Sequence, residues 1–204
     1  MRADLADSNV KDGAIKRALG RTPLLRRCAP SLRDKLRRAI WSAVWLCLFL
    51  PSPTPLHCWR CWLVRWFGGI VGRRVAIYPT VKIWAPWNLH IDDNATIGGS
   101  ANLYCVDRIS IGAGAIISQG AFLCTASHDF QSRDFCLVTA EVRVCSNVWV
   151  AAEAFVGPGV CIGEGAVVGA RCVLTRNVGE STVIAGNPAR VIGLRDADAF
   201  NFLK

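Results

Sequence analysis

The sequence predicts an all-β protein built as a parallel β-helix, with a helical extension before it. Two observations lead to this prediction: aliphatic residues recur every six positions from about residue 71, and a small or β-branched residue follows most of them after four positions. An amphipathic helix would give spacings of three and four, and a β-hairpin strand would alternate every two residues. Short strands joined by tight corners fit a period of six, because stacked coils then bury one continuous aliphatic column.

The six-residue pattern runs in four stretches separated by breaks. Its aliphatic positions are Val71, Ile77 and Ile83; Ile91, Ile97 and Leu103; Ile111, Ile117 and Leu123; and Val144, Val150, Val156, Ile162, Val168 and Leu174. Glycine often follows them, and we expect it to relieve crowding or backbone strain near the corners. The breaks predict loops, which solenoids often use as their working surface. We therefore expect an extension over 1–70, a β-helix over 71–192 with a loop insertion at 124–143, and a tail over 193–204.

The first third of the chain is basic and aromatic. Residues 1–74 carry 15 lysines and arginines against 4 acidic residues, whereas residues 75–204 carry 9 against 11. A nucleic-acid-binding protein would spread its positive charge over the folded domain, so no nucleic-acid partner is expected. The apolar run 39–50 is shorter than the roughly 20 residues that span a bilayer. Residues 33–67 fit either an interfacial helix on an anionic membrane or a helix packed on the body or on another subunit.

Ten cysteines raise the question of a metal or of disulfide bonds. Cys58 and Cys61 form the only close pair, and no second pair or spaced histidines complete a four-ligand site, so we expect no metal. The N-terminal sequence is polar and mixed in charge, unlike a signal peptide. These features predict a cytoplasmic protein with reduced thiols.

Several segments carry a more specific signal: PSPTPLHCWR, APWNLHI, LYCVDRISIGAGAIISQGAFLCTASHDF, and AEAFVGPGVCIGEGAVVGARCVLT followed by AGNPARVIG. Over roughly residues 36–194 they resemble, in order, the colanic-acid-type exopolysaccharide acetyltransferases of the hexapeptide-repeat acyltransferase superfamily. The resemblance implies a left-handed parallel β-helix and a homotrimer with active sites between subunits. It also implies acetyl transfer from acetyl-CoA to the hydroxyl of a sugar or of a lipid-linked oligosaccharide.

His128 in CTASHD matches the family's catalytic histidine. A sugar hydroxyl is a poor nucleophile at neutral pH, and an imidazole, with an ordinary pKa near 6.5, can take its proton during attack on the thioester carbonyl. The adjacent Asp129 is expected to orient the imidazole or to bind acceptor hydroxyls. By the same resemblance, Asn102 is expected to contact the acceptor.

The resemblance also implies contacts to the oxyanion and to CoA. The backbone N–H of Ala152 is expected to face the oxyanion, and Trp149 to line the CoA arm. The other expected CoA contacts are Ala170, Thr175, Arg176 and Arg190, the last as a permanent positive charge for the nucleotide phosphates. Some relatives carry a second arginine where this chain has Gly193, and whether Arg195 substitutes for it is open.

Two other functions compete with the sugar O-acetyltransferase. A γ-type carbonic anhydrase shares the fold but needs three grouped histidines, and we expect His57, His90 and His128 to lie too far apart. A non-catalytic scaffold would leave His128 dispensable. The sequence therefore favours an enzyme of exopolysaccharide biosynthesis, cytoplasmic and peripheral at the inner face of the cell membrane.

Overall fold

The computed structural model describes residues 25–26 and 32–196, and the β-helix occupies most of this range. Three parallel sheets form the faces of a prism. Face 1 contains β2 (Ile70–Val71), β5 (Leu89–Ile91), β8 (Ile109–Ile111), β13 (Val142–Val144) and β16 (Cys161–Ile162). Face 2 contains β3 (Ala76–Ile77), β6 (Thr96–Ile97), β9 (Ile116–Ile117), β14 (Trp149–Val150), β17 (Val167–Val168), β19 (Thr182–Ala185) and the antiparallel β20 (Arg190–Leu194). Face 3 contains β4 (Lys82–Ile83), β7 (Asn102–Tyr104), β10 (Phe122–Cys124), β15 (Phe155–Val156) and β18 (Val173–Leu174).

The architecture is the expected left-handed parallel β-helix, in which the chain visits the three faces in order and then begins the next coil. Below, the first corner joins face 1 to face 2, the second joins face 2 to face 3, and the third joins face 3 to face 1. A 3₁₀ turn, Pro86–Asn88, fills the first break at the third corner. β20 ends at Leu194, two residues beyond the expected end of the β-helix.

The six-residue pattern correctly identified the core. Every aliphatic position of the pattern is buried, as are its small partners Ala95, Ala101, Ala115, Ala121, Ala154, Val160, Ala166 and Cys172. Equivalent residues of successive coils pair in register, for example Ile97 with Ile117 and Val150 with Val168. The core is therefore a column of stacked aliphatic layers with alanine-sized residues at the corners.

The repeat glycines relieve crowding, whereas the left-handed conformations lie elsewhere in the corners. A Cβ on Gly112 would stand 2.6 Å from the backbone nitrogen of Ser146 in the next coil. Positive φ angles occur instead at other corner residues, for example at Gly114, two positions after Gly112, and at the non-glycine residues Asn147 and Glu153. Close approach between coils thus explains the glycine spacing.

Two helices precede the β-helix and pack against its first coils. They are α1 (Leu32–Val44), which continues into a π-helical segment (Trp45–Phe49), and α2 (His57–Trp66). The indole of Trp41 is almost wholly buried and donates to the Ile83 carbonyl at 2.7 Å, and the indole of Trp45 donates to the Val81 carbonyl at the same distance. These bonds fix α1 beside face 3. Among the described residues, no helix has the length and apolar character needed to cross a membrane.

Arg60 of α2 is fully buried and holds the preceding Pro-Ser-Pro segment. Its guanidinium donates to the Ile77 carbonyl at 2.6 Å, to the Ser52 hydroxyl at 2.8 Å and to the carbonyls of Pro53 and Thr54 at 2.9 and 2.5 Å. Desolvation lowers the pKa of Arg60 from its ordinary value, but a guanidinium stays protonated in proteins. One cation therefore joins α2, the loop before it and the first coil.

Replacing Arg60 with methionine should destabilise the fold, because buried carbonyls would lose their donors. We expect the free energy of unfolding to fall by about 3 kcal/mol, which for a domain of this size lowers Tm by roughly 6–12 °C. Thermal unfolding followed by circular dichroism measures the change. Arg108→Met, at an exposed arginine, is the control and should leave Tm unchanged; equal Tm values for the two variants would contradict the role of Arg60.

Candidate active site

The largest insertion folds as a β-hairpin that leaves the third corner. Its strands are β11 (Ala126–His128) and β12 (Leu137–Thr139), and β1 (Leu25–Arg26) adds to β12 as an antiparallel third strand. His128 is the last residue of β11 and pairs with Leu137. The hairpin therefore carries the histidine away from the prism on a hydrogen-bonded support.

Buried threonines anchor the base of this hairpin to the second coil. The hydroxyl of Thr125 donates to the Tyr104 carbonyl at 2.8 Å and accepts the backbone N–H of Asp107 at 2.9 Å. The hydroxyl of Thr139 donates to the Asp107 carboxylate at 2.8 Å. Both strands of the hairpin are thus fixed to the loop that follows β7.

The imidazole of His128 has a defined tautomer. Its Nδ1 lies 2.5 Å from the carbonyl oxygen of Phe135, which can only accept a hydrogen bond. In the neutral imidazole Nδ1 therefore carries the proton, and Nε2 presents its lone pair. Phe135 has a φ of 44°, a conformation that is unusual for a bulky residue. The exposed His128 is thus oriented as a proton acceptor through Nε2.

Asp129 begins the hairpin loop. Its carboxylate accepts the backbone N–H of Gln131 at 3.1 Å, and its own N–H donates to the Cys136 carbonyl at 2.9 Å. The orienting contact on Nδ1 of His128 comes from Phe135, which the sequence did not indicate. Both roles expected for Asp129 stay predictions.

Four of the expected CoA and oxyanion residues lie in one row along the second corner. Trp149, at 46% exposure, begins β14 on face 2 of the fourth coil, and its Nε1 donates to the Ser118 hydroxyl at the second corner at 2.9 Å. Ala152 and Ala170 occupy equivalent positions one coil apart, and neither N–H has an acceptor among the described residues. Arg190 begins β20 beside the same corner and is exposed. The row thus offers two backbone donors, an indole and a cation.

Thr175 and Arg176 lie at the third corner instead, which is the corner from which the His128 hairpin leaves. Arg195 does not join Arg190, because β20 separates them. It lies near the first corner, where its guanidinium donates to the carbonyls of Asn147 and Gly165 at 3.2 and 3.4 Å. Arg195 therefore does not stand in for the second arginine beside Arg190.

A single chain places the imidazole and the Ala152 donor at different corners of the prism. His128 extends from the third corner, whereas Ala152 and Ala170 lie at the second, with the width of face 3 between them. A general base and an oxyanion donor must reach the same carbonyl group. Within one chain, the exposed imidazole of His128 and the N–H of Ala152 therefore do not lie at the same corner.

The described residues contain no group of three or more His, Cys, Asp and Glu side chains that could hold a metal. The histidines are well separated: Nδ1 of His57 lies 2.9 Å from the Ile77 carbonyl, and Nε2 of His90 lies 3.0 Å from the Asp92 carboxylate on face 1. Cys58 is exposed while Cys61 is buried, with its thiol donating to the Val75 carbonyl. Within one chain, His57, His90 and His128 therefore lie at separate places in the fold.

Asn102 lies outside both corner groups, in a groove between α1 and face 3. The groove has a volume of about 420 Å³ and is lined by Trp41, Ser42, Trp45, Lys82, Ile83, Trp84, Asn102, Tyr104 and Phe122. Only Asn102 of these was expected from the sequence. A signal for the outward residues of face 3 was present in their repeat every 20 residues, with Lys82, Asn102 and Phe122 in register. The residues contributed by α1 and the segment after it had no such signal.

The fold and the comparisons with known proteins together place the chain in the class of hexapeptide-repeat acetyltransferases. No model of a protein family matches the chain. The chain is 43% identical over 159 residues to WcaF of Escherichia coli K12, whose name assigns it to colanic acid biosynthesis as an acetyltransferase; the match covers 78% of this chain and 87% of the relative. The galactoside O-acetyltransferase of the same strain is 27% identical, with coverage of 70% and 72%. A galactoside acetyltransferase structure in complex with coenzyme A matches with a TM-score of 0.77 at 20% identity, covering 94% of each chain.

The particular family follows from the first of these relatives. With 43% identity over most of both sequences, the chain belongs to the colanic-acid-type acetyltransferases. The likeness to the galactoside enzyme at 20% identity supports the fold alone.

Proposed function

We propose that the protein is an acetyl-CoA-dependent sugar O-acetyltransferase of exopolysaccharide biosynthesis, with His128 as its general base. The observation that carries this proposal is the bond between Nδ1 of His128 and the Phe135 carbonyl, since it leaves Nε2 as the proton acceptor on an exposed hairpin. Membership in the colanic-acid-type family supports the exopolysaccharide context.

In the proposed reaction, Nε2 of His128 takes the proton of a sugar hydroxyl as its oxygen attacks the thioester carbonyl of acetyl-CoA. The Ala152 N–H donates to the oxyanion that forms, and the Ala170 N–H is available to the pantetheine arm. Collapse of the oxyanion breaks the C–S bond, and the proton held by His128 passes to the departing sulfur. Arg190 supplies positive charge for the nucleotide phosphates. The donors along the second corner suit a ligand with amide carbonyl groups at one end and phosphates at the other.

The proposed active unit is a homotrimer. The separation of His128 from Ala152 within one chain supports this, because three-fold closure would bring the third corner of one subunit to the second corner of its neighbour. The outward surface of face 2 supports it too: Ile116 and Trp149 are about half exposed there, as interface residues of an isolated chain would be.

Acetyl-CoA consumption with a panel of sugar acceptors tests the proposal. Release of free CoA that depends on a sugar, together with a mass increase of one acetyl group on that sugar, is the expected result. Comparing lipid-linked intermediates from cells with and without the protein identifies the natural acceptor. Release of no CoA with any saccharide or lipid-linked fraction would favour a non-catalytic scaffold.

We propose further that α1 and α2 rest on the anionic inner surface of the cell membrane, which would put a cytoplasmic enzyme beside a lipid-linked acceptor. At 100° per residue, the exposed Leu32, Leu36 and Ala43 fall within about 40° of one another on the side of α1 opposite the buried Trp41. The exposed Arg33 and Lys35 flank this apolar stripe on either side. Such an arrangement lets aliphatic side chains enter the headgroup region while the cations meet lipid phosphates.

The second apolar feature of the helical extension is a ladder of tryptophans on α2. Trp59, Trp62 and Trp66 stack in sequence, with ring centroids 5.2 and 5.6 Å apart. The indole of Trp59 donates to the Leu48 carbonyl at 3.0 Å, which joins the ladder to the segment that follows α1. Indole rings favour the interface between water and lipid.

We expect the protein to float with vesicles containing phosphatidylglycerol at low salt and to bind phosphatidylcholine vesicles much less. Leu36→Glu should weaken binding about tenfold or more, since a buried leucine contributes about 1.5–3 kcal/mol. Val191→Glu is the matched control, because both side chains are 64% exposed and Val191 lies on β20. Equal flotation of the two variants, or no flotation of the wild type at any salt concentration, would refute membrane contact through α1.

A further inference from the structure

The groove between α1 and face 3 combines aromatic walls with polar groups that have no protein partner. Trp84 and Tyr104 lie side by side, with ring centroids 5.0 Å apart, and Phe122 continues the row at 6.2 Å from Tyr104. Among the described residues, the Lys82 ammonium has no carboxylate partner, and the side chains of Asn102 and Tyr104 have no hydrogen-bond partner. The polar groups are thus available to a ligand.

We propose that this groove binds a pyranose unit of the acceptor that carries a negative charge. The C–H groups of a pyranose carry partial positive charge and pack against the negative faces of aromatic rings, here Trp84 and Tyr104. The ring hydroxyls bind the Asn102 amide and the Tyr104 hydroxyl, and the anionic substituent pairs with Lys82. This inference depends on the proposed function in one respect, because it treats the bound saccharide as part of the acceptor.

The charge of the groove favours an anion. No acidic residue lines it, and the guanidinium of Arg38 lies 4.9 Å above the Trp84 ring as a second cation beside Lys82. A lipid chain fits less well, because it would bury an ammonium, an amide and a hydroxyl without replacing their hydrogen bonds to water. An anionic saccharide satisfies the aromatic and the charged parts of the groove together.

The groove lies next to the hairpin that carries His128. Thr125, at the base of the hairpin, donates to the carbonyl of Tyr104, whose side chain lines the groove. Phe122 precedes His128 by six residues, so their Cα atoms are at most about 20 Å apart at 3.3 Å per residue. An oligosaccharide can therefore place one ring in the groove while another ring of the same chain approaches the imidazole.

Titrations of the full chain with two disaccharides that differ in one carboxylate test the proposal. We expect cellobiouronate to bind about tenfold more tightly than cellobiose, as measured by NMR chemical-shift changes without acetyl-CoA. Lys82→Ala should remove this difference. Arg73→Ala, which removes an exposed cation at the first corner, should retain it, and Trp84→Leu should weaken both ligands alike. Glucose 1-phosphate serves as a separate arm, since preference for it over cellobiouronate would identify a phosphate rather than a carboxylate as the anion.

Equal binding of the two disaccharides to the wild type, or an unchanged preference in Lys82→Ala, would overturn the proposal. A change of oligomeric state in Lys82→Ala without any effect on saccharide binding would also overturn it, by assigning the groove to a neighbouring subunit. The binding titration needs no catalysis. A carboxylate preference without acetyl transfer would therefore contradict the proposed function alone, and acetyl transfer without the preference would contradict this inference alone.

Discussion

His128→Ala is expected to lower kcat for acetyl transfer by about 10² to 10⁴, the usual contribution of a general base. The sugar hydroxyl would then have to lose its proton to water during attack on the thioester. CoA binding should stay within about twofold of the wild type, because the expected CoA contacts lie at other positions of the coils. Steady-state CoA release gives kcat, and calorimetric titration with CoA gives Kd.

His90→Ala is the matched control for this substitution. His90 is also partly exposed, but it pairs with Asp92 on face 1, away from the hairpin. Its removal should leave kcat unchanged. An unchanged rate in His128→Ala would refute the assignment of the base, whereas equal losses in both variants would indicate a general effect on the fold.

Ala152→Pro is expected to lower kcat by about 10² to 10³, because proline removes the backbone donor proposed for the oxyanion. Residues 151–154 form a turn in which Ala154 donates to the Ala151 carbonyl and Glu153 has a φ of 57°. This is the pattern of a type II turn, which accepts proline at its second position. The first coil already has Pro79 at the equivalent corner position, so the fold tolerates the ring there.

Mixing two inactive variants tests both the Ala152 N–H as the oxyanion donor and the proposal that each active site is built from two subunits. If each site takes His128 from one subunit and Ala152 from its neighbour, random assortment of an equimolar mixture of His128→Ala and Ala152→Pro restores about a quarter of all sites. Unfolding and refolding the proteins together, followed by a CoA-release assay, measures the recovery. Mixtures that stay inactive although the subunits exchange would contradict a site built from two chains. Full activity of Ala152→Pro alone would exclude its N–H as the oxyanion donor.

Much of this arrangement could be predicted from short-range sequence patterns. The spacing from Ile91 to Leu103, for example, identified core residues whose register the structure confirms, because each coil repeats the same inward and outward positions. The motif CTASHD located the histidine. The partner of its Nδ1 could not be predicted, since Phe135 lies across a hairpin whose loop conformation depends on tertiary contacts.

The groove between α1 and face 3 could not be predicted from the sequence, for a related reason. Lys82, Trp84 and Tyr104 stand at outward positions, which a repeat leaves free to vary, and their neighbour Trp45 comes from a helix outside the repeat. Whether these side chains form one groove depends on where α1 packs. The indole bonds from Trp41 and Trp45 to main-chain carbonyls of the first coil fix that position.

The sequence alone determined the β-helix and its buried column, because periodic burial is a local property of a chain, and its CTASHD motif predicted His128 as the base. The tertiary structure decided which atoms meet. It gave Nε2 of His128 the free lone pair, put Ala152 on another corner of the prism, and formed the groove beside α1. Each of these depends on contacts between residues distant in sequence, and no period or motif encodes them.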